Sequence, residues 1–313
     1  MINVAIIGAG YMANEHIKAF NDISDVCVLG IYSKTKLKSE KLAAIYNIQN
    51  VCDSIDDLYK KTKADIVVVC TSVLSIHDIS IECFRYKWVC LIEKPVGYNL
   101  EEAKSIFEQS VTSKSRVYVS LNRRNYSSTI SVIESLKKNS NNRLVHIYDQ
   151  QNTINALLAG QPKAVVDNWM FANSIHLVDY FNIFCRGEVV KIDKIIPWEG
   201  NSTNFILTKI LFDSGDIGIY ESIWNAPGPW AVVITTTDIR WELRPLEQAF
   251  IQSNESRKLE PIIIKEQDLK FKPGLRQQAQ EIVNVVLNKK NNAVLLSSAM
   301  KTMQLVDKIY FSN

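Results

Sequence analysis

The first 120 residues alternate short apolar runs with amphipathic stretches. Ile2–Ile7 and Val26–Tyr32 have the character of strands, and between them Tyr11–Asn21 places Ala13, Ile17 and Phe20 on one helical face. A Lys-rich helix follows to about Tyr46. Asp65–Thr71 carries the continuous apolarity of a strand buried on both faces. Trp88–Ile92 and Val117–Leu121 predict further strands. Between these two, Asn99 is placed to cap a helix that has Glu101 and Glu102 in its first turn and Ala103, Ile106 and Phe107 facing inward. Alternation at this pitch predicts a parallel sheet with helices on both faces.

The pattern changes after about residue 125. A helix over Ser128–Lys138 and a polar loop lead into Arg143–Gln151, which alternates like a half-exposed strand. Asp167–Cys185 has helical spacing. Strands are predicted at Phe205–Phe212, Ile217–Trp224, Ala231–Thr236 and Ile239–Leu243, with a turn at Asp213-Ser214-Gly215-Asp216. Helices over Leu275–Leu287 and Leu296–Tyr310 close the chain. The expected architecture is α/β: a doubly wound parallel sheet over residues 1–123, then an α+β domain with a mostly antiparallel open sheet over residues 124–313.

Composition narrows the partners. The 313 residues are 47% hydrophobic and 22% charged, which excludes a disordered chain and a small disulfide-stapled scaffold. A net charge of only +3, with the basic residues spread out, argues against nucleic acid. No apolar run approaches the roughly 18–20 residues of a membrane span, and no signal segment precedes Ile2, so a cytoplasmic protein is expected. The six cysteines form no Cys-x-x-Cys pair. Buried free thiols are expected, with neither a metal nor a disulfide.

The chemistry begins at Gly8-Ala9-Gly10-Tyr11-Met12-Ala13, between the first strand and the first helix. Gly8 permits the tight turn, Gly10 lets a pyrophosphate approach the backbone, and Ala13 lets helix pack on strand. The helix amino terminus presents unpaired N–H groups to the phosphates, which makes this a dinucleotide site with Tyr11 and Met12 at its rim. An NAD site would have a carboxylate about 20 residues on, for the ribose 2′-hydroxyl. Here the second strand ends in Ser33-Lys34-Thr35, a hydroxyl and a cation suited to the 2′-phosphate of NADP. NADP is expected as the preferred cofactor, with NAD also accepted.

Glu93-Lys94-Pro95 ends the strand that begins near Trp88. With the glycine loop, Cys70-Thr71-Ser72 and His77, the Asn122/Arg124 segment and the two-domain layout, it makes the chain resemble the Gfo/Idh/MocA oxidoreductases, the family of glucose–fructose oxidoreductase and inositol dehydrogenase. The resemblance implies an N-terminal Rossmann domain, a substrate-binding C-terminal domain, and a sugar, cyclitol or nucleotide sugar as substrate. It places Lys94 beside the nicotinamide and the substrate hydroxyl, where a desolvated lysine can take or give the hydroxyl proton. Thr71, Glu93 and His77 fall in the cofactor set, although His77 could equally cap a helix.

The family's second site is Asp-x-x-x-His on a C-terminal-domain helix, and His176 matches its histidine. Four residues earlier stands Ala172, which cannot take a proton. Three outcomes are open: Lys94 and His176 suffice, Asn173 or Asp167 substitutes, or the chain is a cofactor-binding sensor on the same fold. Trp169, two helical turns before His176, is a candidate to stack on a sugar. Arg123, Arg124 and Lys163 are candidates for an anionic substrate group. His16 and His146 look incidental, and Asp179 a structural helix contact. The open apolar sheet of the second domain predicts a homodimer or homotetramer.

Overall fold

The structure is a computed structural model that describes residues 1–200 and 202–311. The chain divides into two compact units. In the first, β1 (Ile2–Ile7), α1 (Tyr11–Asn21), β2 (Val26–Tyr32), α2 (Lys36–Tyr46), β3 (Asn50–Cys52), α3 (Ile55–Thr62), β4 (Ile66–Val69), α4 (Ile76–Cys83), β5 (Val89–Glu93), α5 (Leu100–Thr112) and β6 (Arg116–Ser120) follow in order. All six strands are parallel, in the order β3-β2-β1-β4-β5-β6. This is the doubly wound Rossmann arrangement, with its switch point between β1 and β4. Val4, Ile6, Val68 and Leu91 of the central strands are fully buried, because helices cover both faces of a parallel sheet.

Local chemistry sets the helix ends. The Asn99 side chain accepts from the Glu102 backbone N–H at 2.9 Å, and Glu102 Oε2 accepts from the Tyr98 backbone N–H at 3.2 Å. The edge strand β3 gave no usable periodic signal, since three residues are too few to show alternation, while α3 buries Ile55, Leu58 and Thr62 along one face. Ser54 caps α3 by accepting from the Asp57 N–H.

The second unit holds α6 (Ser127–Leu136), β7 (Leu144–Gln151), α7 (Thr153–Leu158), α8 (Lys163–Val166), a π-helical turn at Met170–Ser174, and α9 (Ile175–Phe184). Then come β8 (Val189–Ile196), β9 (Phe205–Phe212), β10 (Ile217–Trp224), β11 (Trp230–Thr235), β12 (Ile239–Leu243), β13 (Phe250–Ser253) and β14 (Glu260–Pro261). They form a mixed sheet in the order β14-β13-β12-β11-β7-β10-β9-β8. Its pairs are antiparallel except β7 with β10. One face is buried and the other half-exposed. On the buried face α9 approaches so closely that a Cβ on Gly218 would lie 2.7 Å from the Phe181 ring.

The continuous division at residue 123/124 requires correction. After α10 (Glu266–Lys270) the chain returns to the first unit with α11 (Leu275–Val286), and residues 269–300 count with residues 1–122. Leu275, Ala279, Ile282 and Val283 of α11 join the core built on β1, β2, β4 and β5. The second boundary falls within α12 (Leu296–Tyr310). An amphipathic helix does not announce which sheet it will cover, so sequence order misplaced α11.

Candidate functional site

In the first unit the candidate residues meet at the carboxyl ends of adjacent strands. Ile7 pairs with Val69 and Val69 with Ile92, so Gly8, Thr71 and Lys94 leave the sheet at one edge. A Cβ on Gly8 would sit 2.3 Å from the Cys70 carbonyl oxygen, and its φ of 110° is one that side chains disfavour. A Cβ on Gly10 would meet nothing within 4 Å. That open space faces the start of α1, which has no side-chain cap and no acidic residue in its first turn. The free N–H groups and room in front of Gly10 fit a dinucleotide pyrophosphate.

Glu93 departs from the expected cofactor role. Its carboxylate turns inward, with Oε1 2.7 Å from His16 Nε2 and accepting from Ser120 Oγ at 2.8 Å. Gln278 Nε2 of α11 donates to the same serine at 2.9 Å. His16 is fully buried in this network and is not incidental. Its place on the inner face of the glycine-loop helix was readable from spacing, but its partner lies 77 residues away. Lys94, next in sequence, is half-buried at the start of the turn, and its peptide to Pro95 is cis.

The other cofactor candidates are placed as follows. His77 sits between Asp78 Oδ1 at 2.8 Å and Ser105 Oγ at 2.9 Å, which holds α4 against α5. Ser33 Oγ accepts from the Thr35 N–H at 3.3 Å, and Lys34 is exposed. Tyr32 pairs with Cys52, which brings Asp53 of the neighbouring strand end near Ser33. Sequence spacing did not reveal this carboxylate, and Lys36 holds it at 2.7 Å. Burial pushes the Cys70 thiol well above its ordinary value, which leaves it inert as a nucleophile.

In the second unit Ala172 and His176 are both buried, Ala172 within the π-helical turn and His176 in the first turn of α9. Widened turns of this kind recur at functional sites. Gln151 ends β7 and brackets two candidates: its Oε1 accepts from Trp169 Nε1 and from Asn173 Nδ2, each at 2.8 Å. Its amide orientation is set because Nε2 donates to Asp149 Oδ1. Asp149 also accepts from Tyr220 Oη at 2.6 Å. Burial raises the Asp149 carboxyl above its usual range, and the hydrogen bonds from Tyr220, Ser174 and Gln151 offset this only in part. Asp149 and Gln151 were missed because both face inward from a strand whose other residues look ordinary.

Three proposed ligand contacts are instead used inside the unit. Arg124 donates to Asp179 through Nε at 2.7 Å and Nη2 at 2.6 Å, and Thr302 Oγ1 donates to the same carboxylate. That bidentate pair fixes the position of the Arg124 guanidinium. Lys163 and Asp167 pair with each other on one helical face, at 2.7 Å. Arg123 lies 4.8 Å over the Trp230 ring. His146 stacks on Tyr148 on the outer sheet face. Among the described residues no group of three His, Cys, Asp or Glu side chains is placed to hold a metal ion, and no helix is long and apolar enough to cross a membrane.

Residues 2–121 match the Gfo/Idh/MocA model, described as an oxidoreductase family with an NAD-binding Rossmann fold. The amino-terminal domain belongs to the Gfo/Idh/MocA oxidoreductases. Nearly the whole chain, 98%, superposes on solved structures. The UDP-N-acetylglucosamine 3-dehydrogenase of Acidithiobacillus ferrooxidans is 13% identical, with 96% of that chain covered and a TM-score of 0.79. A dehydrogenase from Chromobacterium violaceum is 14% identical, with 94% covered and a TM-score of 0.83. A Sinorhizobium meliloti protein assigned as a myo-inositol dehydrogenase is 14% identical, with 95% covered and a TM-score of 0.75. At these identities the likeness establishes a shared fold and nothing finer. A curated relative, the 4-carboxy-2-hydroxymuconate-6-semialdehyde dehydrogenase of Sphingobium sp., is 20% identical over 199 residues. That match spans 62% of this chain and 62% of that protein, less than two thirds of its length.

Proposed function

We propose that the protein is an NADP-preferring dehydrogenase or reductase that transfers hydride between nicotinamide and a carbinol or keto carbon of a sugar, cyclitol or nucleotide sugar. The observation that carries this reading is the shared sheet edge of the glycine loop and Lys94. A bound nicotinamide dinucleotide supplies the hydride donor or acceptor. Gly8, Gly10 and the first N–H groups of α1 hold its pyrophosphate, with Tyr11, Met12, Thr71 and His77 around the dinucleotide. Ser33 and Lys34 meet the 2′-phosphate.

Lys94 then handles the hydroxyl proton that must leave as hydride departs, or returns it in reduction. His176 orients the substrate or shares in proton transfer, and Trp169 and Asn173, held by Gln151, line the substrate side. The substrate class follows the sugar-nucleotide and cyclitol activities of the structural relatives. The semialdehyde relative adds a carboxylated aldehyde to the compounds worth assaying.

NADPH oxidation and NADP reduction across such a panel, followed by absorbance, test the assignment. Lys94→Ala should abolish turnover and leave cofactor affinity nearly unchanged. Loss of cofactor binding in that variant would make Lys94 a structural residue. Ala172 in place of the family carboxylate favours one second reading, a cofactor-binding sensor. Tight NADPH binding with no turnover on any compound of the panel would support the sensor.

A further inference from the structure

The segment that leads into α11 carries three cations, and two of them have a carboxylate. Lys270 Nζ lies 3.0 Å from Asp22 Oδ1, and Arg276 Nε lies 2.8 Å from Asp22 Oδ2, at the carboxyl end of α1. Lys272, between them, is half-buried and pairs with no carboxylate among the described residues. Its ammonium stands 5.4 Å from the centroid of the Tyr11 ring. Tyr11 is the first residue of α1, directly after Gly10, and is 65% exposed. Asn122 Nδ2 donates to the Pro273 carbonyl at 3.0 Å, and the Leu275 N–H bonds the Lys272 carbonyl at 3.1 Å. The backbone that leaves Lys272 toward α11 is therefore pinned.

The arrangement collects positive charge at the start of α1. The amino end of α1 carries the positive end of the helix dipole and its unpaired N–H groups. The space in front of Gly10 is open. Lys272, held over the face of Tyr11, adds a cation next to the residue that opens this helix. An anion that fills the space before Gly10 and reaches Tyr11 would meet both the helix terminus and the ammonium.

We propose that Lys272, steered by the face of Tyr11, is a cofactor-binding residue that contacts the pyrophosphate of the dinucleotide. The assignment rests on the dinucleotide reading above and adds a contact from outside the glycine loop, delivered by the segment that returns to the first unit. The pyrophosphate is common to both cofactors. Lys272 therefore contributes equally to NAD and NADP binding, unlike Lys34, whose partner would be the 2′-phosphate alone.

The test is fluorescence titration of NADH and NADPH on wild type, Lys272→Met and Lys272→Arg. Methionine keeps the stem against Tyr11 and removes the charge. Lys272→Gln replaces it if its thermal unfolding shows a damaged fold. Adenosine 2′,5′-bisphosphate, which has no pyrophosphate, is titrated as a competitor. The charge-removing variant should weaken NADH and NADPH alike, by roughly tenfold for one lost charge-assisted contact. Arginine should retain most of the affinity, and the bisphosphate should bind all three proteins equally. Unchanged dinucleotide affinities, a loss confined to NADPH, a parallel loss for the bisphosphate, or an arginine variant as weak as the methionine would each overturn the proposal. A wild-type protein that binds neither dinucleotide would overturn the cofactor reading itself, which separates the two failures.

Discussion

Glu93 turns its carboxylate inward to His16 and Ser120, while Lys94, one residue on, starts the turn at the sheet edge. The tripeptide that both belong to was visible in the sequence. The division of labour within it was not, because it depends on a histidine from α1 and a serine from β6. Ala172 shows the opposite case: against the Asp-x-x-x-His pattern that the family resemblance implies, the missing carboxylate was plain in the sequence, and no fold can add a proton acceptor to an alanine. Lys34 stands between these cases. Its place after β2 was predictable, and its surroundings include Asp53, neutralised by Lys36. Lys34→Ala should weaken NADPH by roughly tenfold and leave NADH within experimental error. Titration of both cofactors by fluorescence checks this, and equal affinities in wild type would reject the NADP preference.

Helices and strands with long periodic patterns lie where their pattern put them: α1, β2, β9, β10, β12 and α12 keep their predicted bounds. The helical stretch at 167–185 does not stay regular: a turn stands at residues 167–168, and a π-helical turn runs directly into α9. Apolar spacing cannot reveal a widened turn. The β9–β10 hairpin was legible from its Asp-Ser-Gly-Asp turn, but the last residue of that turn has a further role. Asp216 is fully buried and binds Arg186 through its guanidinium and backbone N–H, and also accepts from the Arg143 N–H. It thereby ties the hairpin to the end of α9 and the start of β7. Burial alone would raise its carboxyl, and the hydrogen bonds from Arg186 and Arg143 outweigh that and hold it below its usual value.

A carboxyl lowered in the fold stabilises it above the unfolded value near 3.8 and loses that contribution as pH falls through the folded value. Asp216→Asn should therefore cost roughly 3 kcal/mol at neutral pH. The gap from wild type should narrow as pH drops below the ordinary carboxylate range. Urea unfolding from pH 7 down through the acid limb measures it; a gap independent of pH would show that the charge is not what ties the hairpin.

The second unit leaves one sheet face half-exposed, with Leu207, Leu211, Ile217, Ile219 and Ile223 along β9 and β10. An open apolar sheet is a hazard for a lone chain. We expect homodimers or homotetramers paired through this face. Light scattering at micromolar concentration should give two or four chain masses of 35.6 kDa each, and Ile219→Lys should shift the protein toward monomer. A monomeric wild type would reject the pairing.

Local pattern was enough for the strand–helix alternation and the glycine loop, which depend on residues close together in the chain, where periodicity and backbone sterics act directly. Lys94 and the absent carboxylate at Ala172 were legible once the family resemblance supplied the motifs to set them against. Tertiary contacts alone decided that α11 returns to the first unit and that His16 meets Glu93. They also decided that Arg124 is anchored by Asp179 and that Lys272 reaches Tyr11. Those pairings join positions 55 to more than 250 residues apart. Burial and hydrogen-bond satisfaction select such partners only once the chain has packed, and no local pattern encodes them.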